Sequence, residues 1–368
     1  MVRGLLEGPA TAPDKSGANP SYNRVFMRLA LVFALLLAGC ATGGGDLTDA
    51  VDNLMRDYDG NVPGASVLVL GDGRAVVRRA YGLADLDAKT PATPATNYRL
   101  ASVTKQFTAG AILALIEDDR ITLDDPVRRW LPSLPAATDT ITIRHLLTHT
   151  SGLVDYEDVM AEGTTEQIHD ADVLRLLESQ DRTYFAPGSK YQYSNSAYAL
   201  LALIVERASG QSFAAFLRER IFAPLGMRDT VAFEEGISTV SNRAFGHTFE
   251  DGTWKRTDQS TTSAVLGDGG IYSSIDDLAK WDAALYDQRF ADAFVPRTPT
   301  NTPNVEYGFG WRISRHRGER MVGHSGETRG FRNVLLRFPD RRLTVIVLTN
   351  RNHPEPHDTA LAIADLFF

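Results

Sequence analysis

Residues 102–116 read SVTKQFTAGAILALI, with a serine and a lysine three residues apart at the head of an apolar run. Phe107 to Ile116 is apolar on every side, as a helix buried in a large core would be. We expect Ser102 at or near the first turn of this helix. Free N–H groups and the positive dipole end there can stabilise a developing oxyanion. Lys105 shares the face of Ser102, and burial would disfavour its ammonium form, which suits a proton relay.

The serine–lysine pair alone is weak evidence. The chain has 20 serines and 6 lysines, so chance predicts about 0.3 such pairs. A second motif, Tyr193-Ser194-Asn195, stands directly before another apolar helix candidate, residues 197–205. Tyr193 beside a lysine ammonium could share a proton with the serine hydroxyl. Asn195 offers an amide to a substrate carbonyl and to Lys105, although Ser or Asn there also suits an ordinary helix N-cap.

A third motif, His324-Ser325-Gly326, lies between two strand candidates. Gly326 would let a substrate backbone approach a strand edge closely. His324 would then face the cleft, although a lone histidine is more often a packing residue.

Together these motifs resemble the serine β-lactamase and penicillin-recognising hydrolase family, most closely its class C branch with DD-peptidase and esterase relatives. That family carries S-x-x-K, Y-x-N and then K-T-G or H-x-G in this order. The resemblance covers roughly residues 50–368. Further segments are similar to the same branch: HLLTHTSGL at 145–153, FAPG at 185–188, LGM at 225–227, Gly269-Gly270 and YGFGW at 307–311.

The resemblance implies an acyl-enzyme route without cofactor or metal. Ser102 would attack a carbonyl carbon, with Lys105 and Tyr193 moving the proton. The backbone N–H groups of Ser102 and Glu327 would bind the oxyanion. Substrate-binding residues would be Asn195, His324, Ser325, Gly326, Glu327 and Arg329.

The third motif departs from the class C pattern because it begins with His324, where a lysine would help to hold a substrate carboxylate. Efficient β-lactam hydrolysis is therefore in doubt, and we expect an esterase or a D-amino-acid peptidase acting on a small molecule or peptide. A histidine there would change charge near pH 6.5, with Arg329 as a permanent cation nearby. A true β-lactamase and a non-catalytic envelope-binding lipoprotein remain the alternatives.

Strand signals at both ends of the chain frame a helical middle. Residues 65–70 and 74–81 predict one hairpin, and residues 334–338 and 343–348 another. We therefore predict an α/β (α+β) serine β-lactamase-like fold, with an antiparallel sheet built from both chain ends, flanking helices and an inserted all-helical subdomain. The domain of residues 47–368 would comprise an α/β part, about 47–100 and 265–368, and a helical part, about 101–264.

The N-terminal segment predicts export. Met27 to Gly39 combines Arg28 with a ten-residue apolar run, too short to span a membrane but suited to a signal peptide. Leu-Ala-Gly-Cys40 resembles a bacterial lipoprotein cleavage box, so we expect lipid on Cys40, residues 40–46 as a tether and a periplasmic location, at the outer membrane where there is one. Residues 1–26 do not fit a signal peptide, and Met27 is the expected start.

Composition excludes several classes. The 368 residues are 43% hydrophobic and 23% charged with net charge −8, which indicates a globular protein and disfavours nucleic acid as a partner. The single cysteine excludes an intrachain disulfide framework.

Other enzyme classes fit the sequence less well. Residues 323–327 miss the last glycine of G-x-S-x-G. His145 and His149 lack the glutamate of a H-E-x-x-H zinc site. Glu234 and Glu235 are adjacent, and adjacent side chains rarely converge as a glycosidase pair.

Overall fold

The computed structural model describes residues 43–368, with side chains from Leu47 onward. The chain divides into two units, residues 1–48 and 49–368. In the first unit, the described residues 43–48 open helix α1, which begins at Gly43. The flexible tether predicted up to residue 46 is thus helical from Gly43, because each residue added to a formed helix gains a backbone hydrogen bond. Cys40 and the predicted signal peptide lie outside the described residues.

The helices of the described region alternate with short 3-10 turns. A single π-type turn, Arg218–Phe222, follows the seventh helix. The helices are α1 Gly43–Leu54, α2 Lys105–Glu117, α3 Val127–Trp130, α4 Ile143–Leu147, α5 Asp170–Glu178, α6 Asn195–Ser209, α7 Phe213–Leu217, α8 Leu266–Gly269, α9 Ile275–Ala284 and α10 His357–Asp365.

Eight strands form one antiparallel sheet in the order β10-β11-β12-β13-β14-β15-β1-β2, so strands from both chain ends meet. This confirms the predicted fold class. The strands are β1 Ala65–Gly71, β2 Arg74–Tyr81, β3 Leu83–Asp85, β4 Thr90–Pro91, β5 Tyr98–Arg99, β6 Val231–Ala232, β7 His247–Glu250, β8 Thr253–Arg256, β9 Ile271–Ser273, β10 Thr298–Pro299, β11 Glu306–Tyr307, β12 Arg312–His316, β13 Glu319–Thr328, β14 Phe331–Phe338 and β15 Leu343–Thr349.

The central strands are buried on both faces. Along β1, Leu68 and Leu70 join the larger core, and Val67 and Val69 join a second core beneath α10. This alternation follows from the two-residue period of a strand. The larger core also takes in most of α2 and α6, which explains why both helices are apolar on every side.

The inserted middle segment is mainly helical but also contains short strands, which the all-helical prediction omitted. Strands β7 and β8 form a hairpin across Asp251-Gly252, where both residues have positive φ (53° and 76°). An Asp-Gly pair between two strands is a strong local hairpin signal.

Within the described residues, no helix on its own is long and apolar enough to cross a membrane. The pair Asn195–Ser209 and Phe213–Phe222, bent by 78°, meets the length and composition requirement together.

Candidate active site

Ser102 lies in the 3-10 turn Ala101–Thr104, directly before α2 begins at Lys105. The turn is tied to its surroundings on both sides. Leu100 N–H donates to the Ile271 carbonyl (2.8 Å), and Asn333 Nδ2 on β14 donates to the Arg99 carbonyl (2.7 Å). Ala101 has a left-handed backbone (φ 50°), a conformation that costs a non-glycine residue about 1–3 kcal/mol. The surrounding contacts therefore hold the half-exposed serine at a fixed, strained turn.

Lys105 is fully buried and its ammonium nitrogen donates three hydrogen bonds. The acceptors are Ser102 Oγ at 3.1 Å, Asn195 Oδ1 at 2.9 Å and the Asp268 carbonyl at 2.9 Å. An ammonium has three N–H donors, so its hydrogen-bonding capacity is filled. The first two predicted motifs thus converge on one nitrogen.

Tyr193 lies beside Lys105 through its ring. The ring centroid is 4.9 Å from Lys105 Nζ, and the ring of Tyr198 lies 5.4 Å from the same nitrogen. Tyr193 Oη is buried and makes no hydrogen bond to any described residue. The expected contact of Tyr193 with the Ser102 hydroxyl is therefore not formed in this conformation, although the tyrosine is next to the lysine.

The third motif lies on β13, in the part of that strand that extends beyond its pairing with β12. The last residue pair between these strands is Arg312 with Gly323, so residues 324–328 continue along the turn that carries Ser102. A Cβ on Gly326 would come within 2.0 Å of the Leu100 carbonyl oxygen. Gly326 is thus required by the close approach of the protein's own backbone, and not by a substrate backbone as predicted.

Sequence comparison agrees with this geometry. The family model described as Beta-lactamase matches residues 47–367. The chain belongs to the beta-lactamase family. Its S-x-x-K, Y-x-N and H-x-G segments are therefore the family's motifs, and the resemblance inferred from them is confirmed.

Three relatives illustrate the branch of the family. Penicillin-binding protein 4* of Bacillus subtilis (strain 168) is 33% identical over 318 residues, 80% of this chain and 70% of the relative. D-aminopeptidase of Brucella canis is 32% identical over 317 residues, 82% of this chain and 58% of the relative. The solved D-amino acid amidase of Ochrobactrum anthropi SV3 has a TM-score of 0.76 and 26% identity, covering 88% of this chain and 98% of that one. This beta-lactamase-family chain is a serine hydrolase, and it spans little more than half of the D-aminopeptidase's length.

His324 departs from the prediction that it faces the cleft with a charge that follows pH. It is buried, its Nδ1 donates to the Ser325 carbonyl (2.6 Å), and its Nε2 accepts from Tyr307 Oη (3.0 Å). Burial and the positive charge of Arg312 lower the pKa of His324 to about 3. The structure does not agree with the predicted change of charge near pH 6.5, because the ring is buried and its lowered pKa keeps it neutral at physiological pH.

The other residues predicted near the third motif divide between two regions. Glu327 lines the cavity of about 60 Å³ that contains Ser102. Ser325 lines a separate cavity of about 240 Å³ with Arg312 and His324. Arg329 was expected to supply a permanent cation near His324, but it is exposed and borders neither cavity.

Two carboxyl groups in the Ser102 cavity were missed by the sequence analysis. Asp268 is buried and accepts a hydrogen bond from Tyr156 Oη (3.0 Å). Burial raises the pKa of Asp268 to about 8. Glu157 lies at the rim, where Asn195 Nδ2 donates to its Oε1 (3.3 Å). Desolvation and the Asp155 carboxylate raise the pKa of Glu157.

No sequence signal singled out these carboxyl groups. Asp268 adjoins the Gly269-Gly270 segment, but nothing local indicates that its carbonyl meets Lys105. With Glu327, three acidic side chains border the serine, and the cavity is lined mainly by polar groups: Arg99, Ala101, Ser102, Tyr156, Glu157, Asn195, Thr262, Ser263, Asp268, Gly269, Glu327 and Thr328.

Proposed function

We propose that this chain hydrolyses amide bonds on the carboxyl side of D-amino-acid residues that carry a free α-ammonium group. The observation that carries the proposal is the side chain of Glu157 at the rim of the Ser102 cavity, which is already fixed by Asn195 and can accept a cationic group. An opposite charge within a partly desolvated cavity binds more strongly than in water. The D configuration rests on the relatives named D-aminopeptidase and D-amino acid amidase.

In the proposed reaction, Ser102 Oγ attacks the substrate carbonyl carbon. The hydroxyl proton passes through Lys105 and Tyr193 to the leaving nitrogen, the C–N bond breaks, and an acyl-serine ester remains. The backbone N–H groups of Ser102 and Glu327 would stabilise the oxyanion. Water then attacks the ester, gives its proton back to the serine and releases the amino acid.

Substrate charge gives the first test. We would compare kcat/KM for D-alanine p-nitroanilide, its N-acetyl derivative and the L enantiomer. A charge-assisted hydrogen bond is worth about 1.5–3 kcal/mol, so the free-amino D substrate should be preferred by about tenfold or more. Equal turnover of the acetylated and free-amino substrates would contradict the ammonium site.

Glu157→Gln isolates the proposed contact. It should lower kcat/KM for the free-amino substrate by about tenfold and leave the N-acetyl substrate nearly unchanged. Glu162→Gln is the matched control, because Glu162 is exposed nearby and does not line the cavity. An equal loss on both substrates would mean that Glu157 is structural.

The alternatives predict other profiles. A true β-lactamase would turn over a chromogenic cephalosporin faster than the p-nitroanilides, which the acidic cavity and the neutral His324 disfavour. An esterase would hydrolyse p-nitrophenyl esters but none of the amides. A non-catalytic binding protein would not react with a fluorophosphonate at Ser102.

We also propose that the chain is an exported bacterial lipoprotein anchored through Cys40. The support is the sequence alone: a cysteine directly follows the apolar run and small residues, and it is the chain's single cysteine. Ala41 is not the aspartate that retains such lipoproteins in an inner membrane, so an outer membrane is the expected destination. Radiolabelled palmitate should enter the wild type and not Cys40→Ser; equal labelling would contradict the anchor.

A further inference from the structure

We propose that His149 is a positioning residue that holds Tyr193 in place beside Lys105. His149 belongs to the H-x-x-x-H pair that the sequence analysis set aside as a metal site. It lies just after α4, far from Tyr193 in sequence. The proposal rests on the proton-transfer role of Tyr193 in the proposed function.

His149 forms hydrogen bonds with the residues on both sides of Tyr193. Its carbonyl oxygen accepts from the Gln192 N–H (2.9 Å), and its Nδ1 accepts from the Ser194 N–H (3.1 Å). Both bonds go to backbone atoms of the residues that flank the tyrosine. The position of the Tyr193 backbone is therefore set by one histidine.

The imidazole also supports the tyrosine ring directly. The ring centroids of His149 and Tyr193 are 4.3 Å apart with 34° between their planes. The imidazole also packs against Tyr198, at 5.0 Å between ring centroids, and edge-on against Tyr307, at 4.6 Å, and His149 is fully buried. These neighbours confine the imidazole. The confined imidazole in turn restricts the position of the Tyr193 ring that packs against it.

Nδ1 of His149 can accept a hydrogen bond only when its own imidazole ring is neutral. Burial, together with the positive charges of Lys105 and Arg312, holds the pKa of His149 well below its usual range. The other titratable groups against it are His324 and a set of four phenols: Tyr191, Tyr193, Tyr198 and Tyr307. The lowered pKa favours the neutral ring, whose Nδ1 is available to accept the Ser194 N–H.

Two substitutions at His149 separate the contribution of the Nδ1 acceptor from that of the aromatic ring. His149 has a left-handed backbone (φ 57°), which asparagine tolerates better than most residues. His149→Asn places an amide oxygen near the Nδ1 position and keeps the acceptor. His149→Phe keeps an aromatic ring and loses the acceptor. His145→Phe is the matched control, since His145 also accepts a backbone N–H, from Thr142 (3.2 Å), away from Tyr193.

Misplacing a catalytic group by about 1 Å can cost about 100-fold in rate. We therefore expect His149→Phe to lower kcat by about 10- to 100-fold with KM changed by less than about threefold. His149→Asn should lose less kcat than His149→Phe, and His145→Phe should stay near wild type. Thermal unfolding of each variant verifies folding; if His149→Phe does not fold, the His149→Gln variant, which also lacks the Nδ1 acceptor, replaces it.

The deciding measurement is a double-mutant cycle with Tyr193→Phe. If His149 acts through the tyrosine, His149→Phe should cost little further kcat once the Tyr193 hydroxyl is gone. The same fold-loss in both backgrounds would overturn the positioning role while leaving the proposed function intact. An unchanged kcat in Tyr193→Phe itself would instead refute the role of Tyr193 and the positioning role with it.

Discussion

Lys105 Nζ lies 3.1 Å from Ser102 Oγ and donates a hydrogen bond to it, while the same nitrogen also reaches Asn195 and the Asp268 carbonyl. One buried lysine therefore joins the turn that carries Ser102, the start of α6 and helix α8. Any loss of this nitrogen removes the hydrogen bond to Ser102 and the two other hydrogen bonds, to Asn195 and Asp268, together.

Lys105→Met should lower kcat by several orders of magnitude, because the serine loses its proton-transfer partner. It should also slow labelling of Ser102 by a fluorophosphonate, which reports nucleophilicity without a leaving amine. Lys190→Met is the control, since Lys190 is exposed and lies outside the cavity. Labelling at the wild-type rate would remove Lys105 from the activation step.

Tyr193→Phe should lower kcat by about 100-fold or more, with a smaller change in KM, because proton transfer is impaired. The hydroxyl is buried and has no hydrogen-bond partner among residues 47–368, so its removal should not reduce the free energy of unfolding. Urea unfolding and steady-state kinetics on the same preparation test both parts. A parallel loss of stability and kcat would indicate a structural role.

His324 should contribute no pH-dependent charge. Its pKa of about 3 keeps it neutral between about pH 5.5 and 8, where a free histidine would titrate. The ratio of kcat/KM for mono-p-nitrophenyl glutarate to that for p-nitrophenyl butyrate should therefore depend on pH in the same way in the wild type and in His324→Gln, since any change over that range comes from other groups such as Asp268. A ratio that rises as the pH falls in the wild type, but not in His324→Gln, would restore the histidinium.

Asp268→Asn should change how stability depends on pH. The folded protein holds the Asp268 proton up to about pH 8, whereas an unfolded chain releases it near pH 3.9. Folding is therefore penalised increasingly as the pH rises from about 4 to 8, and asparagine escapes the penalty. Relative to wild type, Asp268→Asn should become more stable from pH 5 to pH 8 in urea unfolding, whereas a constant difference would contradict the buried carboxyl.

The strands of the two predicted hairpins were predictable because each is short and bounded by a local turn signal. Residues 74–81 were predicted as a strand and form β2 with the same bounds. The two catalytic segments were also predictable, since each is contiguous and stands at the head of an apolar helix. Asn195 then joins Lys105 because α2 and α6 pack together in the core.

Long-range contacts explain what the sequence did not reveal. The charge of His324 depends on Tyr307 and Arg312, which its own neighbours do not predict. Glu157 lies in the 3-10 turn Tyr156–Asp158 and Asp268 in α8, and the two line one cavity only in the folded protein. The high pKa of Asp268 follows from its burial, so neither composition nor residue spacing could predict it.

In the proposed reaction, Ser102 is the nucleophile that carries the acyl group. The most direct measurement is the intact mass of the protein after reaction with a fluorophosphonate, followed by peptide mapping. One phosphonyl group should add per chain, on the peptide that contains Ser102, and Ser102→Ala should show neither the adduct nor amidase turnover. An adduct on another residue, or turnover by Ser102→Ala within about tenfold of wild type, would contradict the account.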